Sequence, residues 1–398
     1  MKILYHHRTR AGDAQGIHIR ALCEAFEALG HSVRVVAPPA GGRSRADGDG
    51  QRESRSSSSV PTPAWLYEVM ALGYNIPAFF MLSWTILRWR PRFVYERYAL
   101  YTVAGRVCAM LFRLPFVLEV NAPLSLELRT HGRLTFHGLA QRVEDWLCRS
   151  SDRTVVVSEA MRGIFTARGL SRDHFIVMHN GVDRSRFHPG LSGHLMRSRF
   201  GLEEACVAGF VGWIRPWHGV DLLIDALDLL RERVPKLRLL IVGDGPAVPD
   251  LKCQVQRLCL DEHVLFSGPV KRDAVPEFIA AMDIAVQPDV TDYASPIKLF
   301  EYLALGKAVV APDKPNIAEV VTNEAQALLF TPGDAQSLAA ALERLCTLPE
   351  LRRRLEMAGA RLIEEAGYDW LSNARRVLQI VDGDDKEIRP SVSPVRDP

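Results

Sequence analysis

This sequence lacks both an excess of charge of one sign and an apolar leader. Its 398 residues include 49 Lys and Arg against 47 Asp and Glu, which leaves a formal net charge of +2. Because nucleic-acid-binding proteins usually carry a basic excess, no nucleic-acid partner is expected. The start, Met1 to Arg10, contains no apolar segment of the kind that forms a secretory signal. This segment is therefore not expected to be a secretory signal.

Cysteine is sparse and shows no metal or redox spacing. The seven cysteines are scattered along the chain and include no Cys-x-x-Cys pair. Their odd number argues against a framework of disulfides. Reduced thiols, as in a cytoplasmic protein, are the best interpretation.

The common phosphate-binding motifs are also missing. The chain contains no Gly-x-x-x-x-Gly-Lys-Ser/Thr loop, and its first loop does not match Gly-x-Gly-x-x-Gly. The motifs typical of kinases and dehydrogenases are thus absent. Asp-x-Asp occurs only at Asp47/Asp49 and Asp382/Asp384, in segments predicted to be disordered, so no metal site is expected. No Gly-x-Ser-x-Gly nucleophile elbow is present either.

What is present is a repeated alternation of short β-rich segments and helical periods. It runs through the first half, pauses at Asn180 to Pro189, and restarts at Val207. A chain of this length with 47% apolar residues can form two cores. The pattern predicts two Rossmann-like α/β domains with doubly wound parallel sheets that face each other across a cleft. The expected ranges are 1–185 with a disordered loop at 38–63, 186–366, a last helix at 367–382, and a disordered tail at 383–398.

The stretch Val69 to Leu87 is apolar enough to resemble a membrane span. It contains Gly73, Asn75 and Pro77, so a buried helix pair is the favoured interpretation. The residues at the end of this stretch could contact a membrane surface. The alternative is that they are only the charged residues of a helix end. The residues concerned are Trp84, Arg88, Trp89, Arg90 and Arg92.

The segment from Ser295 to Asp313 carries the strongest signal. Ser295 is a good N-cap, Pro296 suits the first helical position, and Gly306 suits the turn after the helix. These residues predict a short helix from Pro296 to Leu305. Its first N–H groups, beginning near Ile297, form a favourable place for a phosphate.

Two charged residues in this helix suggest a nucleotide. Lys298 in the first turn opposes the helix dipole unless an anion is bound there. Glu301 lies on the same face, and its carboxylate could accept two ribose hydroxyls. The alternative is an i,i+3 ion pair between Lys298 and Glu301 on a solvated face with no ligand.

Glycine-bearing loops follow three predicted strands of the second half. The first, Gly212 to Gly219, contains Arg215 and His218, and Arg is well suited to bind phosphate. The alternative is a surface Arg with two Trp residues packed between domains. The other loops are Gly243-Asp244-Gly245-Pro246 and Gly268-Pro269-Val270-Lys271, where backbone could approach a ligand or simply turn.

In the first half, two segments are candidates for a ligand site. They are the loop from Arg8 to Gly16 and the segment from Glu119 to Asn121. Both follow predicted strands, and ligands of such folds bind beyond the carboxyl ends of the strands.

Taken together, four segments resemble the family 4 glycosyltransferases in order and spacing over nearly the whole chain. They are His-Asn-Gly-Val-Asp at 179–183 with Phe187 and Pro189, the Gly212–Gly219 loop, Gly-Asp-Gly-Pro at 243–246, and Ser-Pro-Ile-Lys-Leu-Phe-Glu-Tyr at 295–302. The resemblance implies a GT-B fold whose second domain binds the donor and whose first binds the acceptor. It also implies a retaining, metal-independent transfer from a nucleotide-diphospho-sugar, with no other cofactor.

Several positions depart from the family pattern. Glu301 matches the second Glu of the family's Glu-x7-Glu motif, but the first falls at Tyr293, as in a Ser-Pro-x-Lys-x-x-Glu subgroup. The family's diphosphate-binding Arg and Lys fall at Trp213 and His218. A first-domain His falls at Asn121, and Gly16 matches the glycine-bearing N-terminal loop.

The resemblance therefore implies the following roles. Arg215 and Lys298, with the N–H groups after Ser295, would stabilise the leaving diphosphate. Glu301 would bind the ribose, Gly268 to Lys271 the base, and Glu119 and Asn121 the sugar or the acceptor. The implied protein is a cytoplasmic enzyme of surface glycan or glycolipid synthesis that acts on a glycan or lipid-linked acceptor, with a peripheral contact to the inner membrane. A nucleotide-sugar-binding protein without transferase activity and a GT-B sugar-nucleotide epimerase are the alternatives.

Overall fold

Parallel strands alternate with helices along nearly the whole chain. The computed structural model describes residues 1–9, 14–38 and 63–383. These residues divide into an N-terminal unit, formed by residues up to 179 and from 370 onward, and a C-terminal unit, formed by residues 180–369. The sequence placed this boundary at 185/186. Most of the loop predicted at 38–63, and residues 384–398 of the predicted tail, lie outside the described residues.

The N-terminal unit contains a six-stranded parallel sheet in the order β2-β1-β3-β4-β5-β6. Its strands are β1 (Lys2–His6), β2 (Ser32–Val36), β3 (Phe93–Arg97), β4 (Phe116–Val120), β5 (Arg153–Val156) and β6 (Phe175–Val177). Its first seven helices are α1 (Ala14–Ala28), α2 (Ala64–Gly73), α3 (Asn75–Trp89), α4 (Ala104–Phe112), α5 (Leu124–Thr130), α6 (His137–Ser150) and α7 (Glu159–Ala167). Strands β3 and β4 are buried at every position, as expected for a parallel sheet covered on both faces.

The C-terminal unit repeats this architecture with the order β12-β11-β10-β7-β8-β9. Its strands are β7 (Cys206–Val211), β8 (Leu237–Val242), β9 (Val264–Phe266), β10 (Ile284–Val286), β11 (Ala308–Pro312) and β12 (Leu328–Phe330). Its helices are α8 (His194–Phe200), α9 (Val220–Leu230), α10 (Val248–Arg257), α11 (Val275–Ala280), α12 (Ile297–Ala304), α13 (Pro315–Ala318), α14 (Ala335–Thr347) and α15 (Pro349–Glu365). One hydrophobic core includes α9 and α14, and a second includes α12. The predicted pair of Rossmann-like domains is confirmed.

The last helix, α16 (Trp370–Asp382), belongs to the N-terminal unit. Ala374 and Val377 share a core with Leu22 and Phe26 of α1. The chain therefore ends its C-terminal unit before α16 and completes the N-terminal core with it.

The helix pair expected at Val69 to Leu87 is present as α2 and α3, but it is not buried as predicted. Residues 64–89 are the one described segment long and apolar enough to cross a membrane, and only 22% of its most apolar part is buried. In α3, Ala78, Leu82 and Ile86 are buried. The opposite face is exposed because α4 packs against one side of the helix only.

Candidate active site

The predicted glycine loops of the C-terminal unit meet beyond the carboxyl ends of β7, β8 and β9. The N–H of Ile214 donates to the carbonyl of Asp244 over 2.8 Å, and Gly243 donates to Gly268 over 3.2 Å. The carboxylate of Asp244 in turn accepts the N–H of Gly245. The backbone thus brings together three segments whose bonded residues are 25 and 30 positions apart in sequence.

Close approach of the backbone requires glycine at Gly243, and a φ of +153° favours glycine at Gly212. A Cβ at Gly243, where φ is +119°, would lie 2.1 Å from the carbonyl oxygen of Gly212. A Cβ at Gly212 would lie 2.7 Å from Cε of Lys298. The absent side chain of Gly212 therefore makes room for the Lys298 stem.

Lys298 is a largely buried cation without an acidic partner. Its ammonium lies 4.7 Å from the centre of the Phe210 ring. Among the described residues, no carboxylate lies within ion-pair distance of it. Burial lowers the pKa of Lys298 to about 8, although the charge of Glu301 opposes this.

Glu301 pairs with a residue that sequence reasoning missed. The carboxylate is 2% exposed and accepts a hydrogen bond from the guanidinium of Arg272. Arg272 lies 5.3 Å from the centre of the Phe187 ring. The alternative of a solvated Lys298–Glu301 ion pair is therefore wrong, because a nearer guanidinium takes the carboxylate. The only sequence signal was that Arg272 directly follows the predicted base-binding segment at Lys271.

Ser295 is not the N-cap that the sequence predicted. Its hydroxyl accepts the backbone N–H of Asn180 over 3.0 Å, and its carbonyl accepts the side-chain amide of Asn180. Because Ser295 is engaged there, Pro296 takes the cap position and α12 begins at Ile297, one residue later than expected. The N–H of Leu299 donates to the carbonyl of Pro296, whereas the N–H groups of Ile297 and Lys298 precede the first possible intrahelical acceptor.

The Gly212–Gly219 loop places a neutral side chain, that of His218, near Lys298 and carries an exposed charged one, that of Arg215. Burial, with the charges of Lys298 and Arg215, lowers the pKa of His218 to about 3, so its imidazole is neutral. Arg215 is exposed, and its guanidinium lies 5.0 Å from the centre of the Trp217 ring. Trp213 and Trp217 are both about half exposed.

The segment predicted to bind the base is a turn at the end of β9. Gly268 has a φ of +71°, and its carbonyl accepts both the Gly243 N–H and the Ser267 hydroxyl. Val270 packs against the core, whereas Lys271 is exposed.

The N-terminal unit holds a polar cluster at the carboxyl end of β4. Glu119 is buried and accepts hydrogen bonds from Arg97 over 2.6 Å and from the amide of Asn121. Burial opposes ionisation of Glu119, but His18 and Arg97 together outweigh it and hold its pKa below the usual range. Gly16 is buried within α1, not in a loop as predicted, because that helix already begins at Ala14.

Sequence reasoning also missed a buried pair in this unit. Nδ1 of His6 is hydrogen-bonded to the carboxylate of Glu96, and Nε2 lies 3.3 Å from the hydroxyl of Tyr74. His6 ends β1 and Glu96 lies in β3, and parallel pairing places the two side by side. No cluster of three or more His, Cys, Asp or Glu suited to a metal ion occurs in the described ranges.

Two family models match the chain in succession. The model described as Glycosyltransferase Family 4 matches residues 15–186, and that described as Glycosyl transferases group 1 matches residues 196–362. One model covers most of the N-terminal unit and the other most of the C-terminal unit, so each unit matches a glycosyltransferase domain.

The relatives that this chain matches differ in the substrates that their names give. It is 26% identical to the sulfoquinovosyl transferase SQD2 of Arabidopsis thaliana over 65% of this chain and 51% of that protein. It is 29% identical to the GDP-mannose-dependent phosphatidylinositol monomannoside mannosyltransferase of Mycolicibacterium smegmatis, over 51% of this chain and 55% of that one. The matches thus span about half the length of these relatives.

A solved structure shows the same fold over the full length. The Anabaena protein HepE in complex with UDP superposes with a TM-score of 0.75 at 20% identity, covering 96% of this chain and all of that one. The predicted GT-B fold is confirmed by this likeness and by the two parallel sheets.

Proposed function

We propose that this protein is a retaining glycosyltransferase that moves a sugar from a nucleotide-diphospho-sugar to a glycan or lipid-linked acceptor without a metal ion. The observation that carries the proposal is Lys298. It is a largely buried ammonium at the start of α12 with no acidic partner among the described residues. An unpaired buried charge is costly, and a diphosphate would supply the missing counter-charge.

The same position suits the chemistry of sugar transfer. When the bond between the anomeric carbon and the diphosphate breaks, negative charge grows on the leaving oxygen, and fixed positive groups lower the barrier most. Lys298 and the first N–H groups of α12 would provide them, with Arg215 as a second cation from the exposed loop. The acceptor hydroxyl attacks from the same face, and its proton goes to the leaving phosphate oxygen.

Glu301 is proposed to bind the ribose. Its carboxylate is oriented by Arg272, and each carboxylate oxygen can accept more than one hydrogen bond. The backbone of Gly268 to Lys271 is proposed to contact the base. HepE was solved with UDP, and the mycobacterial relative is named for GDP-mannose, so both uracil and guanine are candidate bases.

Calorimetry without metal tests the donor site. We expect one of UDP, GDP and ADP to bind at micromolar strength, and Lys298→Ala or Glu301→Ala to weaken it by about 1–3 kcal/mol, as lost charged hydrogen bonds do. Lys252→Ala is the matched control, because Lys252 also lies over an aromatic ring, Phe266, but on the exposed side of α10. Equal binding by all variants would refute the assignment.

Product analysis then separates the function classes. Transfer to an acceptor, or slow hydrolysis of the donor in its absence, supports a transferase. Tight binding with no turnover would indicate a binding protein, and interconversion of free nucleotide-sugars would indicate an epimerase.

The exposed face of α3 supports a lipid-linked acceptor and a peripheral contact with the inner membrane. Ile76, Phe80, Trp84 and Leu87 follow helical spacing and are 62–67% exposed. Arg88 lies over the Trp84 ring at 5.6 Å. An apolar stripe with aromatic residues and a basic end is typical of helices that lie in the interface of an anionic membrane.

A further inference from the structure

Two cysteines that are far apart in the sequence meet in the C-terminal unit. Cys206 is the first residue of β7, and Cys346 lies in the last turn of α14. Their Sγ atoms are 3.1 Å apart, and both residues are partly exposed. A small approach of the side chains would bring the two sulfurs to the bonding distance of about 2 Å.

The surroundings make the two thiols chemically unequal. The pKa of Cys206 is lowered, chiefly by its hydrogen bond with Cys346, which outweighs burial and the charge of Asp283. Arg352 contributes, because its guanidinium lies 3.8 Å from Sγ of Cys206. The same contact raises the pKa of Cys346. The Arg352 guanidinium beside Cys206 favours it as the attacking cysteine and leaves Cys346 as the resolving one.

We propose that Cys206 and Cys346 form a reversible dithiol–disulfide pair that is oxidised by a low-molecular-weight disulfide such as oxidised glutathione. The Cys206 thiolate attacks one sulfur of the oxidant, whose S–S bond breaks and releases one glutathione thiolate. Cys346 then attacks Sγ of Cys206, forms the protein disulfide and releases the second glutathione. The two cysteines lose two electrons and two protons, and the oxidant gains both.

The remaining cysteines offer internal comparisons. Cys253 and Cys259 are exposed, and the structure records no thiol contact for either of them. Cys108 and Cys148 are buried, and burial raises the pKa of both. Exposure alone would favour oxidation at Cys253 and Cys259, whereas proximity and charge favour Cys206 with Cys346.

The disulfide would tie the start of β7 to the end of α14 across 140 positions of chain. Crosslinks that close long loops reduce the entropy of the unfolded state. We therefore expect the oxidised C-terminal unit to resist thermal unfolding better than the reduced one. This expectation does not depend on the glycosyltransferase reaction.

The experiment uses the full chain, first reduced and then incubated with oxidised glutathione. Free thiols are alkylated, and the digest is analysed by mass spectrometry. We expect one peptide pair linked through Cys206 and Cys346, about 2 Da lighter than the two thiol peptides together, and its reversal by dithiothreitol. The thermal midpoint should rise by several degrees on oxidation and return on reduction.

Two variants test which cysteines take part in the oxidation. Cys346→Ser should stop the reaction at a glutathione adduct on Cys206, whereas Cys253→Ser should leave the linked pair unchanged. Stable adducts on Cys206 in the wild type, or oxidation confined to Cys253 and Cys259, would overturn the proposal. The wild-type peptide map decides the question even if Cys346→Ser fails to fold.

Discussion

The carboxylate of Glu301 is hydrogen-bonded to Arg272 and not to Lys298, although Lys298 lies one helical turn before it. This leaves a largely buried ammonium and a separately neutralised carboxylate side by side in α12. The first is suited to a phosphate and the second to hydroxyl groups.

Nucleotide affinity should fall as the pH rises through about 8, because burial lowers the pKa of Lys298 to about 8 and only the ammonium attracts a diphosphate. The limiting slope is about tenfold per pH unit. Calorimetric titrations between pH 6.5 and 9.5 test this. Lys298→Met should bind weakly with a flat profile, and a wild-type profile that is equally flat would contradict the assignment.

The stability of the free protein should change with pH in the opposite direction. Between pH 8 and the ordinary lysine pKa of 10.5, the unfolded chain keeps its proton at Lys298 and the folded chain loses it. Stability therefore rises with pH across this window, since the unfolded state binds more protons. Urea unfolding of the wild type and Lys298→Met, compared at pH 7.5 and 9.5, isolates the contribution of this residue. If the difference in free energy of unfolding between the wild type and Lys298→Met does not change with pH, the predicted contribution of Lys298 is wrong.

Removing the Arg272 guanidinium should destabilise the C-terminal unit. Arg272→Ala leaves the buried Glu301 carboxylate without its charged donor, which costs about 1–3 kcal/mol. Urea unfolding of the wild type and Arg272→Ala measures this loss in the free energy of unfolding. The double variant Arg272→Ala/Glu301→Gln should recover part of the loss, because the buried charge is gone. Equal losses in the single and double variants would show that packing of Arg272 on Phe187, and not its charge, is responsible.

Gly243→Ala should disrupt the loop that holds the candidate site. The new Cβ would lie 2.1 Å from the carbonyl oxygen of Gly212, so the backbone must move. We expect a lower thermal midpoint and loss of nucleotide binding. Gly163→Ala is the control, because a Cβ there meets nothing within 4 Å and the position lies inside α7. Similar behaviour of both variants would count against the close-approach argument.

Membrane binding should depend on the exposed stripe of α3. Phe80→Glu with Trp84→Glu should abolish co-sedimentation with vesicles containing phosphatidylglycerol, since both side chains are about two-thirds exposed and a charge opposes insertion. Met357→Glu, at an equally exposed position of α15, is the control and should bind like wild type. If the wild-type protein does not co-sediment with the vesicles, the proposed membrane contact is wrong. Protein that resists carbonate extraction would instead indicate a membrane span.

The sequence predicted those parts of the site that depend on local patterns. Short apolar segments alternating with helical periods revealed both sheets, and the glycines at 212 and 243 marked strand ends where backbones approach. The motif near Lys298 identified α12 to within one residue. The prediction for Ser295 was wrong because its hydroxyl can accept an N–H of its own helix or the N–H of Asn180. Only the fold brings Asn180 within hydrogen-bond distance.

Partners distant in sequence could not be predicted. Arg272 and Glu301 are 29 positions apart, and His6 and Glu96 are 90 apart. The sequence around each of these residues gives no indication of its partner. The exposure of α3 was missed for a related reason, because apolar content does not show which faces of a helix find neighbours.

By itself, the sequence determined the two-domain α/β fold, the placement of the glycine loops and the family resemblance. Each of these depends on periodicity or on residue types at short spacing, which the chain carries locally. Only the tertiary structure decided that Lys298 has no acidic partner in the part of the chain that the structure describes, that Arg272 pairs with Glu301, and that Cys206 lies against Cys346. These relationships follow from strand order and helix packing, which bring together residues that no local pattern connects.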